Sequence, residues 1–198
     1  ALSALRHLSP PHSGASGASS GADTPDIPAP FLDRTGSLNE AEAKHLFAAF
    51  GIGIVHEIVV STPEEAQAAA TEMGAPVVIK ILAADLLHKT EVGGVRLNVQ
   101  PEDAEQACVE IAAAALTAGV TAQEGFLIQE LIIDAAEVIV GFRRDPVLGP
   151  ALLLGAGGTL AEIYEDFDIC LLPATSIDIS ELLKRLKITT ALKGYRGY

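Results

Sequence analysis

The stretch APVVIKILAADLLHKTEVGGVRLNV, Ala75 to Val99, decides how the rest of the chain is read. Val77 to Leu82 is a run of aliphatic residues broken only by Lys80, which predicts a buried strand. Val95 to Val99 predicts a second strand returning beside it as a hairpin-like partner, with the intervening residues as a loop. An ammonium group on such a strand is costly to desolvate unless an anion meets it, although a long stem also lets it snorkel to solvent. Gly93 and Gly94 suit either an ordinary tight turn or a close backbone approach to a phosphate with N–H groups aimed inward. Taken with Lys80 at the other end of the same loop, they favour the phosphate.

Upstream, STPEEAQAAATEMG carries helix signals at both ends: Thr62 as cap, Pro63 at the first helical position and Gly74 as stop. IVHEIVV, Ile54 to Val60, predicts a strand. SLNEAEAKHLFAAFG predicts a helix with Ser37 and Glu40 as capping box, an apolar face of Leu46, Phe47 and Phe50, and Gly51 as stop. Downstream, PEDAEQACVEIAAAALTAG predicts a long helix closed by Gly119. FLIQELII, AEVIVGFRR, ALLLGAGG and DICLLPA predict four further strands, separated by turns such as RDPVLG, before a final helix in ISELLKRLKITTALKG. Helices and antiparallel-looking strands in clusters make this an α+β order. Residues 1–36 are rich in Ser, Ala, Gly and Pro and predict a disordered linker or tail that adds nothing to the fold, the remains of an attachment to another module. Residues 37–198 are the expected folded domain.

Composition narrows the function. Hydrophobic residues make up 49% of the 198 and charged ones 20%, as in a folded globular chain, and no apolar run approaches the roughly 20 residues of a membrane span. A formal net charge of -13 and an aromatic content of 5% disfavour nucleic acid, which needs a basic face and stacking rings. Any anionic ligand must therefore be held by local groups. Cys108 and Cys170 follow no metal-ligand spacing and read as two buried thiols in a reducing, cytoplasmic compartment.

APVVIKILAADLLHKTEVGGVRLNV, FLIQELI, AEVIVGFRRDPVLGPALLLGAGGTLAEIYED and LLKGYRG together resemble the ATP-grasp (beta) part of the ADP-forming acyl-CoA synthetases, such as acetate-CoA ligase, which are relatives of succinyl-CoA synthetase. The resemblance runs from about Ser37 to Gly197. It implies an ATP-grasp fold, in which two α+β lobes clamp ATP or ADP with Mg2+, and a CoA-binding alpha subunit or domain as partner. It also implies a reaction in which acyl-CoA, phosphate and ADP give acid, CoA and ATP through phosphohistidine. His88 falls at the histidine position. A neutral imidazole is nucleophilic near pH 7, and its bond to phosphorus keeps a high transfer potential, so it suits a reversible relay. Lys89 would neutralise developing charge there, Thr90 offer a hydroxyl, and the Gly93 and Gly94 amides hold phosphoryl oxygens.

By the same resemblance Gln129, Glu130, Leu131 and Ile132 are expected against adenine, Glu137 against the ribose hydroxyls, and Arg143 or Arg144 against phosphate or the partner. LGAGGTLAE, Leu154 to Glu162, is a second glycine-rich turn, with Glu162 and Asp166 as candidate metal-facing groups. The main magnesium motif of the family, of the Glu-x-Asp-Asn-Pro kind, is expected beyond Tyr198, and Cys170 stands where relatives often carry arginine. His7, His12, His45 and His56 have no comparable setting. A non-catalytic, ATP-binding regulatory remnant stays open as the alternative function.

Overall fold

The computed structural model describes residues 26–33, 35–84, 86, 89–158 and 161–193; the side chain of Glu162 is not described, and His88 lies outside the described residues. The chain divides after Ile133 into two units, each with its own sheet.

The first unit opens with a one-turn helix α1 (Ala29–Leu32), inside the stretch expected as a tail, and continues into α2 (Glu40–Ala49). The capping box of α2 is Asn39 with Glu42, two residues later than the expected Ser37 and Glu40. Both pairs have the required spacing, and the asparagine accepts the Glu42 N–H at 3.0 Å. The shift releases the Glu40 side chain from capping. Phe47 and Phe50, expected on the helix's apolar face, are partly exposed, while Leu46 and Phe50 line an apolar crevice with Ile27 and Phe31.

Then follow β1 (Glu57–Val60), α3 (Pro63–Met73), β2 (Val77–Leu82), β3 (Val95–Val99), a 3-10 turn (Pro101–Asp103), α4 (Ala104–Thr117) and β4 (Gly125–Glu130). Thr62 caps α3 with Glu65, and Gly74 ends it in the left-handed conformation, as the sequence signals require. The strands form one antiparallel sheet in the order β1-β4-β2-β3, with β2 and β3 as neighbours. Successive strand side chains point to opposite faces. Val77, Ile79 and Ile81 of β2 and Phe126 and Ile128 of β4 therefore join Ala66, Ala70, Cys108 and Ile111 of the helices in one core. Leu82 and Leu127 point the other way and pack under Ala41 of α2. Both faces of the central strands are covered, which is why β2 reads as an almost unbroken apolar run.

The second unit contains β5 (Val138–Asp145), β6 (Gly149–Ala156), α5 (Ala161–Tyr164), β7 (Phe167–Leu171), α6 (Ser176–Arg185) and α7 (Ile188–Leu192). Its three strands pair in sequence order, β5-β6-β7, all antiparallel. Leu152, Leu154, Cys170, Leu182 and Leu186 make its core. The expected single final helix is two, because the Asp166 carboxylate accepts the N–H groups of Lys187 and Ile188 and starts a new helix there.

Cys108 and Cys170 are free and buried; burial pushes the Cys108 thiol up to about 12. Among the described residues no helix is long and apolar enough to cross a membrane.

Candidate functional site

The alternation that sends Ile79 and Ile81 into the core sends Lys80 to the face beneath α2. At the start of α2, Glu40 overhangs that face. Lys80 Nζ donates to Glu40 Oε1 at 2.7 Å, and Lys89 Nζ, reaching in from the loop after β2, donates to Oε2 at 3.0 Å. Lys44, one turn along α2, donates to Glu40 Oε1 at 2.9 Å and to Glu57 Oε2 at 2.6 Å. Gln129 of β4, 4% exposed, donates through Nε2 to Glu57 Oε2 at 2.7 Å and to Glu40 Oε1 at 3.3 Å. Three ammonium groups face the Glu40 and Glu57 carboxylates, and Glu91 adds a further carboxylate to the cavity wall beside Lys80 and Lys89.

Burial pushes the Glu40 carboxyl up, but the hydrogen bond and charge of Lys80, followed by those of Lys44, outweigh it and hold the group well below the usual carboxylate range. Glu40 is therefore ionised, as its partners require.

Lys80, Lys89 and Glu40 line an open cavity of 480 Å³ whose wall also includes Ala84, Leu86 and Thr90. Glu124 braces two residues of that wall: Oε2 accepts from Asn39 Nδ2 at 2.7 Å and Oε1 from the Ala84 N–H at 2.9 Å, joining the start of α2 to the start of the loop. Leu86 and Lys89, on either side of His88 in sequence, are both on the cavity wall.

The two glycines have a different job from the expected one. Gly93 N–H donates to the Thr90 carbonyl at 3.1 Å and Gly94 N–H to the Lys89 carbonyl at 2.7 Å, so both amides are spent within the turn. Gly93 has φ of +69°, and a Cβ on Gly94 would lie 2.8 Å from Ile81 Cγ2 and 2.9 Å from the Lys89 carbonyl oxygen. They allow the turn to close against β2, and the cations rather than these amides face the cavity.

Gln129, expected near adenine, points into the charged cluster. The Glu130 carboxylate accepts the His56 N–H at 2.7 Å, tying β4 to the entry of β1, and Leu131 and Ile132 follow beyond the end of the strand. Glu137, Arg143, Arg144, Glu162 and Asp166 belong to the second unit. Asp166 is not aimed at a metal: its two oxygens accept the amides at the start of α7. Among the described residues no group of three or more His, Cys, Asp or Glu is placed to hold a metal ion.

Sequence reading missed Glu40, Lys44, Glu57 and Glu124 as members of this site. The i,i+4 spacing of Glu40 and Lys44 was visible. Their meeting with Lys80 and Lys89 depends on sheet pairing that local patterns do not encode.

Comparison with known proteins agrees with this architecture. The ATP-grasp domain family matches residues 32–198. The chain is 34% identical over 167 residues to acetate–CoA ligase [ADP-forming] I of Archaeoglobus fulgidus, covering 84% of this chain but only 24% of that protein. It is 36% identical over 162 residues to the beta subunit of acetate–CoA ligase [ADP-forming] I of Pyrococcus furiosus, covering 81% of this chain and 70% of the subunit. Among solved structures, it matches the dinucleotide-forming acetyl-coenzyme A synthetase 1 of Ca. Korarchaeum cryptofilum with a TM-score of 0.64 and 33% identity, over 81% of this chain and 69% of that one. That structure holds coenzyme A and Mg-AMPPCP, with a phosphohistidine segment pointing towards the nucleotide-binding site.

Proposed function

Because the chain belongs to the ATP-grasp domain family, we propose that its lysine-lined cavity receives the phosphate tail of ATP or ADP, with Lys80 and Lys89 as the cationic contacts. The observation that carries this reading is the convergence of two ammonium groups from different elements, a strand and a loop, on one anion at a cavity wall. A carboxylate and a phosphate oxygen make the same kind of charge-assisted hydrogen bond to lysine. The end of β4 and the following Leu131 and Ile132 are the proposed seat of adenine.

The relatives extend the proposal to the reaction of an ADP-forming acyl-CoA synthetase, with a CoA-binding alpha subunit or domain as partner. In it, acyl-CoA and inorganic phosphate yield CoA and an acyl phosphate. The P–O bond of the acyl phosphate then breaks and the acid leaves as carboxylate, while the phosphoryl group passes to His88, directly or through a histidine of the partner, forming a nitrogen–phosphorus bond. A β-phosphate oxygen of ADP then attacks phosphorus, that bond breaks, and ATP leaves with the imidazole restored. Lys80 and Lys89 hold the ADP oxygens and offset charge on the transferring group. Leu86 and Lys89, which flank His88 in sequence, both line the cavity, and this supports the reading of His88 as the relay.

The test has two arms. Lys80→Met keeps the apolar stem and removes one charge-assisted contact of about 1.5–3 kcal/mol, so calorimetry should show ADP affinity falling about tenfold or more. Unchanged affinity would leave Lys80 as a partner of Glu40 alone. With the partner, acyl-CoA, phosphate and magnesium supplied, acid-labile label should collect on the peptide LLHKTEVGG and vanish in His88→Asn, which should still bind ADP. Binding without label in the parent chain would instead favour a nucleotide-binding regulatory domain.

A further inference from the structure

Within the proposed phosphate site, Glu40 and Glu91 have the wrong sign for an anion cavity, and Glu40 is the one that both lysines hold. Glu40 is on the wall beside Lys80 and Lys89, and its two oxygens are divided between them, Oε1 to Lys80 and Oε2 to Lys89. A phosphate engaging both lysines must meet this carboxylate in the same place.

We propose that Glu40 is a displaceable internal counter-ion, which occupies the two lysines in the empty site and must be exchanged for nucleotide phosphate when ligand enters. The surroundings suit such an exchange. Removing a half-buried carboxylate from its partners is costly if it is left unpaired. Here Lys44 and Gln129 already donate to Glu40 Oε1 and bridge onward to Glu57, so Glu40 keeps two partners when Lys80 and Lys89 turn to phosphate. Lys44 is also one turn along the same helix, and its bond to Glu40 survives any movement of the loop that carries Lys89. The arrangement keeps the lysines gathered without ligand and sets the affinity below what two bare ammonium groups would give. The inference rests on the nucleotide reading of the cavity.

Affinities for ADP, inorganic pyrophosphate and adenosine are to be measured by calorimetry on the parent chain, Glu40→Gln and Glu40→Asp. Glu40→Gln should bind ADP and pyrophosphate about tenfold more tightly, with adenosine unchanged, because the exchanged contact is to phosphate. Glu40→Asp keeps the charge but is one methylene too short to span both lysines. It should shift ADP affinity in the same direction by a smaller factor, which separates local competition from general electrostatics. If either folded variant binds ADP no better, or worse, than the parent, Glu40 is a support for the lysines and the proposal falls alone. If neither the parent nor the variants bind ADP or pyrophosphate, the nucleotide reading falls with it. Should Glu40→Gln fail to fold, the Asp variant decides.

Discussion

Glu40 gains its partners only in the folded chain, and this makes stability depend on acid. Its folded-state value is depressed below the ordinary 4.5, so the stabilisation is complete above that value and is lost as pH falls towards the folded one. The group is about a quarter exposed, so after allowance for solvent screening the contribution is about 1–2 kcal/mol. Urea denaturation from about pH 5 down to about pH 2 should show a steep loss of stability in the parent chain and a shallower one in Glu40→Gln; equal slopes would assign the acid limb to other carboxylates. At this scale Lys80 was legible, because a lone cation in an apolar strand advertises its need for an anion. Glu40 was not, because one spacing rule fits both Ser37–Glu40 and Asn39–Glu42, and only the folded helix start shows which pair caps.

Among the elements, the turn before β3 is the one on which the cavity most depends. Gly94 sits where a methyl group would strike both Ile81 of the neighbouring strand and the carbonyl its own N–H donates to. Gly94→Ala should cost about 1–3 kcal/mol of stability through this overpacking. Because the struck carbonyl belongs to Lys89, the change should also weaken ADP binding; a stable variant with parental affinity would show that the turn yields without moving the lysine. The glycine pair stood out in the sequence, yet its meaning split between a phosphate cradle and a tight turn. The choice rests on backbone hydrogen bonds that composition does not display. Strands and most helices were legible from period and caps, Thr62–Gly74 most clearly, since every signal there agrees. The final helix was divided by Asp166, whose reach to Lys187 and Ile188 crosses 21 and 22 residues and leaves no local trace.

On the scale of the whole molecule, segments were readable but their order in space was not. The sheet order β1-β4-β2-β3 inserts β4 between two strands that precede it by more than 40 residues, which periodicity cannot foretell. Two lobes were implied by the family resemblance, but the boundary between the two units is hidden from periodicity, because apolar patterning looks the same on both sides of Ile133.

That strand order also bears on timing. Lys80 and Glu40 are 40 residues apart, Lys89 and Glu40 49, Gln129 and Glu40 89. Closing loops of that length is entropically slow, and short-range pairs such as β2 with β3 form before it. We expect the charged cluster to complete after the rate-limiting barrier, once those loops have closed. A nucleotide that recognises only the finished cluster should retard unfolding and leave the refolding rate alone. In stopped-flow experiments ADP should lower the unfolding limb of the chevron and not move the folding limb; acceleration of refolding would mean that the cluster already exists at the barrier.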